Sequence, residues 1–590
     1  MRHTASVGIL VVTLACGHAV AVQAPLELQP ALGAPTPAPM RSNVTGVDSI
    51  LKTLSLREKV GQLIMPWLLG DYVSTEADRF NRALSWIDEH AVGGIIISIG
   101  SPLDAAAKLN TLQRRSRLPL IVAADLEWGA AMRITGATGF PMPMAFGATG
   151  RELDAYQLGR VTALEARAVG IHWTFSPVAD LNNNPDNPII NTRSFGEEPE
   201  EVGRLVAAYI RGASEHGLMT TAKHFPGHGD TGTDSHLSVP VLDACWDRLD
   251  RLELKPFRAA IAAGVTSVMT AHIALPCFQD NGSPRPATLL PAMMSGVLRD
   301  SLGFDGIVVT DALSMGAIVS QYGAGESAVL AFEAGSDLLL IPDDVGRAAN
   351  AMVAAVESGR IGIDRLDASV RRLLRAKEEA GLFVRRTVSL DSIPGVVGHP
   401  DHQRIADDIA TRALTLIQAG PIQQWRRRPG RTALLTYAEE TNLSIGDVLI
   451  GELRALGETV NPFRLYPSSG SMSYDSARAI IDRNDRVLFA TSVRPIAGRG
   501  HVDLPVQLAA LITGTDARKP TVLASFGSPY LLNQLTAFDG TYLLAWNTVA
   551  ANERAVANAL RRGTPIGGRL PITLSHRFPR GHGIVLLPVR

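Results

Sequence analysis

The stretch Gly306-Ile307-Val308-Val309-Thr310-Asp311-Ala312-Leu313-Ser314-Met315 runs three consecutive β-branched apolar residues toward a carboxylate. An apolar run without alternation is the pattern of a strand covered on both faces, as in parallel sheets flanked by helices. It recurs in Gly94-Ile95-Ile96-Ile97 and Leu338-Leu339-Leu340. Working outward, comparable runs span Val60 to Trp67, Val92 to Ser98, Pro119 to Glu127, Ile171 to Asp180, Met219 to Pro226, Ser267 to Ile273, Gly306 to Leu313 and Ser336 to Pro342, with helical stretches between them. Eight such runs within Val44 to Arg386 predict an α/β fold built on a TIM-type (β/α)8 barrel. A doubly wound open sheet is the structural alternative. The first run is ambiguous, because Leu56 to Met65 also reads as a helix.

A second alternation follows Leu390, with strands expected at Thr432 to Tyr437, Arg486 to Thr491, Thr521 to Phe526 and Thr541 to Trp546. Helices are expected at Ile445 to Leu456, Ser476 to Asp482 and Asn552 to Arg562, an arrangement that predicts a smaller layered α/β sheet. The resulting division is a signal segment over 1–24, a Pro/Ala-rich spacer over 25–43, a barrel over 44–386, a linker over 387–401 and a C-terminal α/β sandwich over 402–590. Met1-Arg2-His3, the apolar run Ala5 to Ala15 and the small residues Ala19, Ala21 and Ala24 have the layout of an export signal. A periplasmic or extracellular location follows. Thr13-Leu14-Ala15-Cys16-Gly17 is similar to a bacterial lipoprotein box, which makes Cys16 a candidate lipid anchor.

The 590 residues are 46% hydrophobic and 19% charged, the composition of a folded protein with large cores. Lys plus Arg number 56 against 57 Asp plus Glu, so no global basic field favours nucleic acid. Three cysteines, one of them in the leader, allow at most one disulfide in the mature chain and supply no zinc-module spacing.

The densest chemistry lies in Lys223-His224-Phe225-Pro226-Gly227-His228-Gly229-Asp230-Thr231-Gly232-Thr233-Asp234-Ser235-His236. Gly227, Gly229 and Gly232 match a dinucleotide GxGxxG, but they do not open a helix after a strand, as that fingerprint requires. His224, His228, Asp230, Asp234 and His236 are the residue types of a divalent-metal cluster. Intervening glycines make a mobile loop, whereas a catalytic ion wants rigidly held ligands. The remaining reading is acid-base work: Asp234, two residues from His236, accepts one ring N–H, fixes the tautomer and raises imidazole basicity. Asp311, ending an apolar strand, points at the face where barrels place their chemistry, or else caps the next helix.

These residues resemble the β-N-acetylglucosaminidase branch of glycoside hydrolase family 3, in its two-domain secreted form. The resemblance rests on the Lys-His-Phe-Pro-Gly-His-Gly loop ending in Asp-Ser-His and on the strand-end Asp followed by Ala-Leu-Ser-Met. Further matches are Leu54 to Leu63, Asn191-Thr192-Arg193-Ser194-Phe195-Gly196, Val268 to His272, Ala334 to Leu339, Ser525 to Pro529 and Pro565 to Pro571. It implies Asp311 as nucleophile, His236 held by Asp234 as acid and base, and Asp125, Arg193, Lys223 and His224 as sugar-binding residues. No metal or cofactor is implied, and a monomer is expected. The implied activity is exo-acting, retaining removal of terminal β-linked N-acetylglucosamine from peptidoglycan fragments or chitin oligomers. A phosphorylase acting on the same glycosides and a non-catalytic sugar-binding protein are the alternatives. One departure stands out: where many members carry Asp-Gln-Glu-Gly-Gly-Arg, this chain has Asp125-Leu126-Glu127-Trp128-Gly129-Ala130. Trp128 is either a stacking platform or core, and His228 and His272 read as loop and pocket supports.

Overall fold

The computed structural model describes residues 45–74, 77–279 and 285–588, so the expected leader, spacer and Cys16 lie outside the described residues. The N-terminal strands are short and buried throughout: β1 (Ile64–Met65), β2 (Trp67–Leu69), β3 (Gly94–Ser98), β4 (Ile121–Ala124), β5 (Trp173–Thr174), β6 (Thr221–Phe225), β7 (Ser267–Thr270), β8 (Ile307–Val309) and β9 (Leu339–Leu340), with β2 alone partly exposed. All their pairings are parallel. The ladders run β2-β3-β4-β5, β6-β7-β8 and β1-β9, and single parallel bridges tie Trp173 to Met219 and Val309 to Leu338. Parallel neighbours need helical crossovers, and the sequence supplies them with explicit start signals. Ser101 caps Pro102–Arg115 with Pro at its first turn, and the Asp344 side chain caps Val345–Glu357.

Two expected strands are corrected. Val60 to Gln62 belong to the helix Leu56–Gln62, which a reciprocal capping box of Ser55 and Glu58 starts. Extended structure begins only at Ile64 and is interrupted at Pro66, whose ring nitrogen cannot donate to a ladder. Ile171 to Asp180 contributes only Trp173–Thr174, because Pro177 again removes a donor and the chain then turns toward the cavity described below.

The second sheet has six strands: β10 (Thr415–Gln418), β11 (Arg431–Tyr437), β12 (Thr459–Leu465), β13 (Arg486–Thr491), β14 (Thr521–Ser525) and β15 (Thr541–Leu544), in the order β10-β15-β14-β13-β11-β12. Only β10 is antiparallel to its neighbour. Successive residues enter different cores: Leu434, Leu488, Val522 and Leu543 pack on one face, and Leu435, Phe489, Leu523 and Leu544 on the other. Both faces are therefore covered, which makes an α/β layered sheet. β10 and β12, the two edge strands, are absent from the expected set; β12 carries Pro462 and exposed Asn461, both tolerated where one side needs no ladder. After β15 the described residues form no further named strand; Ile566 makes a single antiparallel bridge to Leu586 and Ser575 one to Phe578.

The N-terminal part and the six-stranded sheet share packing. Met144, Ala145 and Ala148, on the helix Pro143–Thr149, belong to a core of the six-stranded sheet. Asn547 donates to the Phe140 carbonyl at 2.9 Å. Residues 387–401 follow the surface of the first part, with Val388 exchanging two hydrogen bonds with the Asn110 side chain. Cys245 and Cys277 form a disulfide.

Candidate active site

The carboxyl ends of the N-terminal parallel strands surround a cavity of about 520 Å³. Asp125 and Glu127 follow β4, Lys223 and His224 lie on β6, and Asp311 follows β8. Arg193 comes from the turn Asn191–Arg193, and His236 from the loop after β6. All seven of these line the cavity, and Asp234 stands buried behind His236. The structure thus brings together Asp125, Arg193, Lys223, His224, Asp234, His236 and Asp311, across nearly two hundred positions of chain.

Glu127 organises one wall, and sequence reading passed over it despite quoting it beside Asp125. Its carboxylate takes Arg193 through two hydrogen bonds, at 2.8 and 2.9 Å, and Lys223 Nζ at 2.8 Å. Lys223 also donates to Asp125 at 2.9 Å, and Arg133 reaches the other Asp125 oxygen at 3.2 Å. Burial pushes the Glu127 carboxyl up, but Arg193 and Lys223 outweigh it and hold the group well below its ordinary value. For Asp125 the same opposition, with Lys223 and Arg133 as the cations, ends at about 2. Both carboxylates are therefore ionised, and the cations they fix are aimed into the cavity as rigid donors. Arg133 supplies a guanidinium near Asp125 although the motif position just after Gly129 holds alanine.

Asp180 is the second residue missed. It ends the same apolar run that yields β5, so the strand-end argument applied to Asp311 would have found it. Its buried carboxylate accepts the backbone N–H groups of His224 and His228 and lies 2.7 Å from His224 Nδ1. Arg193 Nη2 lies 3.4 Å from His224 Nε2.

Asp311 accepts the Ala312 N–H at 2.8 Å. Burial raises its pKa, yet the net shift is downward, because His224, His272, the Ala312 N–H and Lys223 all favour the anion. His272, whose own pKa burial lowers, sits with Nε2 3.0 Å from the Ala312 carbonyl and so braces the Ala312–Leu313 peptide, one residue beyond Asp311. On the other side, His236 Nδ1 lies 2.9 Å from Asp234 Oδ1, which also accepts the His236 backbone N–H at 2.8 Å. The second Asp234 oxygen accepts the N–H of Gly498, from the segment after β13, at 2.7 Å. The Asp234 side chain is fully buried while that of His236 is 38% exposed, so the dyad has a fixed root and an accessible ring.

The loop glycines serve close packing more than freedom, which corrects the expectation of a mobile loop over its first half. A Cβ on Gly229 would meet the Leu181 carbonyl oxygen at 1.4 Å, and one on Gly227 would meet the Glu253 side chain at 2.9 Å. Asn187 donates to the carbonyls of His228 and Gly229, and the His228 ring lies 2.8 Å from Thr231 Oγ1 and 3.1 Å from Ser235 Oγ. Only Gly232 stands in open space. Asp230, a member of the metal reading, turns instead to Arg248, and no metal-holding group of three His, Cys, Asp or Glu occurs among the described residues. Trp128 lines the cavity and is not part of the core.

One stability prediction arises here. Glu127→Ala leaves buried Lys223 with Asp125 as its remaining carboxylate and the part-buried Arg193 with no carboxylate in contact, and should cost about 3–5 kcal/mol in denaturant unfolding, the usual penalty for breaking a buried pair. A loss below about 1 kcal/mol, typical of exposed pairs, would mean that Arg193 and Lys223 find other partners.

The model of the glycosyl hydrolase family 3 N-terminal domain matches residues 55–376. A β-N-acetylglucosaminidase/β-glucosidase of Cellulomonas fimi is 30% identical over 502 residues, which is 82% of this chain and 88% of that protein. The solved structure of a glycoside hydrolase family 3 β-N-acetylglucosaminidase from Paenibacillus sp. str. FPU-7 superposes with a TM-score of 0.80 at 33% identity, covering 88% of this chain and 99% of that one. A β-glucoside phosphorylase structure gives 0.80 at 26% identity, with 90% and 96% covered.

Proposed function

We propose, on the premise that this chain belongs to glycosyl hydrolase family 3, that it is an exo-acting, retaining β-N-acetylglucosaminidase. The observation that carries the reading is one cavity lined by the strand-end carboxylate Asp311 and the Asp234-supported His236. In this mechanism an Asp311 oxygen bonds to the anomeric carbon as the glycosidic C–O bond breaks, and His236 delivers a proton to the departing oxygen. Water then attacks the glycosyl-enzyme, giving its proton to His236 while the electron pair of the ester bond returns to Asp311. A histidine replaces the second carboxylate of the usual pair. Asp125, Arg193, Lys223 and His224 bind the hydroxyls of the terminal sugar, for which mixed carboxylate and cationic donors are suited.

The wider reading has the parallel strands closing into a (β/α)8 barrel over 44–386, supported by pairings that pass from β2 round to β9 and on to β1. Residues 402–590 are then a second domain that borders the cavity. The leader supports export, and with it peptidoglycan fragments or chitin oligomers as substrates; Cys16 is the residue a lipid tether would use. A cavity of about 520 Å³ falls in the range that encloses compact ligands, which suits a terminal sugar and its neighbour.

The test is release of chromophore from an aryl β-N-acetylglucosaminide, insensitive to chelator. Phosphorolysis is the second reading, favoured by the likeness to a phosphorylase structure and by an imidazole standing where a second carboxylate would repel phosphate. Appearance of the sugar 1-phosphate when phosphate is added would select it. The pH profile tests the nucleophile: because the Asp311 pKa is lowered, its active anion survives to lower pH, and the acidic limb of kcat/KM should lie below the ordinary aspartate value of 3.8. A limb centred a full unit above that value would assign it to another group.

A further inference from the structure

The segment that follows β13 reaches from the six-stranded sheet into the cavity. Arg494, Pro495, Ile496 and Ala497 line it together with His236. Gly498 pins the segment through its hydrogen bond to Asp234, and Gly500 lies against Leu237.

The four lysine and arginine cations of the cavity differ in how their charge is met. Arg133, Arg193 and Lys223 each hold Asp125 or Glu127. Among the described residues, Arg494 has no ion pair or hydrogen bond, and the anion acting on it is Glu439, whose carboxylate is already engaged by Arg499. Burial works against the Arg494 charge. A half-buried cation without a close partner is unfavourable, and an anion entering the cavity would relieve it.

We propose that Arg494 anchors an oxyanion subsite on the leaving-group side of the cavity, so that the enzyme favours leaving groups or acceptors bearing a carboxylate or phosphate near the glycosidic bond. This rests on the reading of His236 as proton donor. A proton donor must face the glycosidic oxygen, and Arg494 is tied, four residues from Gly498, to the carboxylate that holds His236. The sugar-binding set instead comes from the ends of β4 and β6 and the Asn191–Arg193 turn. Whatever resolves the glycosyl-enzyme enters from the side the leaving group vacated, so an acidic aglycone and an incoming phosphate would occupy one place. The planar fork of a guanidinium fits both. With phosphate as acceptor, its oxygen bonds to the anomeric carbon as the bond to Asp311 breaks and the electron pair returns to the carboxylate. An anionic phosphate oxygen needs no deprotonation for this step.

The experiment compares kcat/KM for two aryl β-N-acetylglucosaminides of matched leaving-group acidity, one neutral and one with a ring carboxylate, and separately titrates inorganic phosphate against the neutral one. The parent should prefer the carboxylated substrate, or be accelerated by phosphate, about tenfold or more, as expected for one charge-assisted hydrogen bond. The first result identifies an acidic aglycone and the second phosphate. Arg494→Met should abolish whichever effect is found, and Arg494→Lys should keep part of it. Each effect is a ratio within one protein preparation, so a smaller folded fraction does not mimic it. No preference and no phosphate effect in the parent, or an effect that survives Arg494→Met, overturns the subsite. Turnover of the neutral substrate in those cases leaves the glycosidase reading standing, whereas no turnover of either substrate removes the reading itself.

Discussion

Asp311→Asn lowers kcat by about 10⁴- to 10⁶-fold, as removal of a covalent nucleophile does in enzymes whose catalytic groups act as a unit. At about 1.4 kcal/mol per tenfold, that is about 6–8 kcal/mol of lost transition-state stabilisation. The substitution keeps shape and keeps an oxygen to accept the Ala312 N–H, so the local backbone has no reason to move. Its charge change acts elsewhere: the carboxylate is buried, and His224, His272 and Lys223 compensate it. The neutral amide avoids the burial penalty and forgoes that compensation, so thermal unfolding should change little. The measurement is kcat on an aryl β-N-acetylglucosaminide beside the unfolding midpoint of the same preparation. Activity within tenfold of the parent, with an unchanged midpoint, would leave Asp311 as a helix-capping residue and move the nucleophile to another carboxylate of the cavity.

What the sequence disclosed about this site, and what it hid, follows from where each signal resides. Asp311 was legible because a carboxylate ending a continuous apolar run is locally costly unless it has work to do or a cation to meet, whereas Asp125 was named only through the family resemblance. Asp180 obeyed the same rule but was obscured, since its run is mostly irregular and only Trp173–Thr174 is extended. Glu127 was visible, yet its role is set by Arg193 and Lys223, 66 and 96 residues away in sequence, and no local pattern encodes that meeting. The hydrogen bond from Gly498 to Asp234 was illegible in principle: it spans 264 positions and its donor is a backbone N–H, which every residue but proline carries. Among the strands, central ones announce themselves through burial on both faces. Edge strands such as β12 do not, because exposure lets them hold Asn461 and Pro462.

The remaining large effect concerns the dyad, and it separates a proton donor from a residue that merely shapes the cavity. General acid catalysis contributes about 10²- to 10⁴-fold, in proportion to how badly the leaving group needs its proton. For a natural disaccharide the departing alkoxide is a strong base, so His236→Ala should lose that full factor in formation of the glycosyl-enzyme. An activated aryl glycoside leaves as a weakly basic phenolate, and the same variant should then lose less than about tenfold in that step. Asp234 acts through His236, whose Nδ1 it holds, and Asp234→Asn should repeat the leaving-group pattern at smaller size. An asparagine carbonyl accepts either the Gly498 N–H or the His236 backbone N–H but leaves its amide nitrogen facing the other donor, so the unfolding midpoint of the variant is measured beside its rates. Pre-steady-state measurement isolates glycosyl-enzyme formation from its later hydrolysis, where His236 would act as base and be needed for both substrates. Equal losses on the disaccharide and the activated glycoside in that first step would mean that the ring positions the sugar without giving up a proton, and the acid would then have to be sought elsewhere in the cavity.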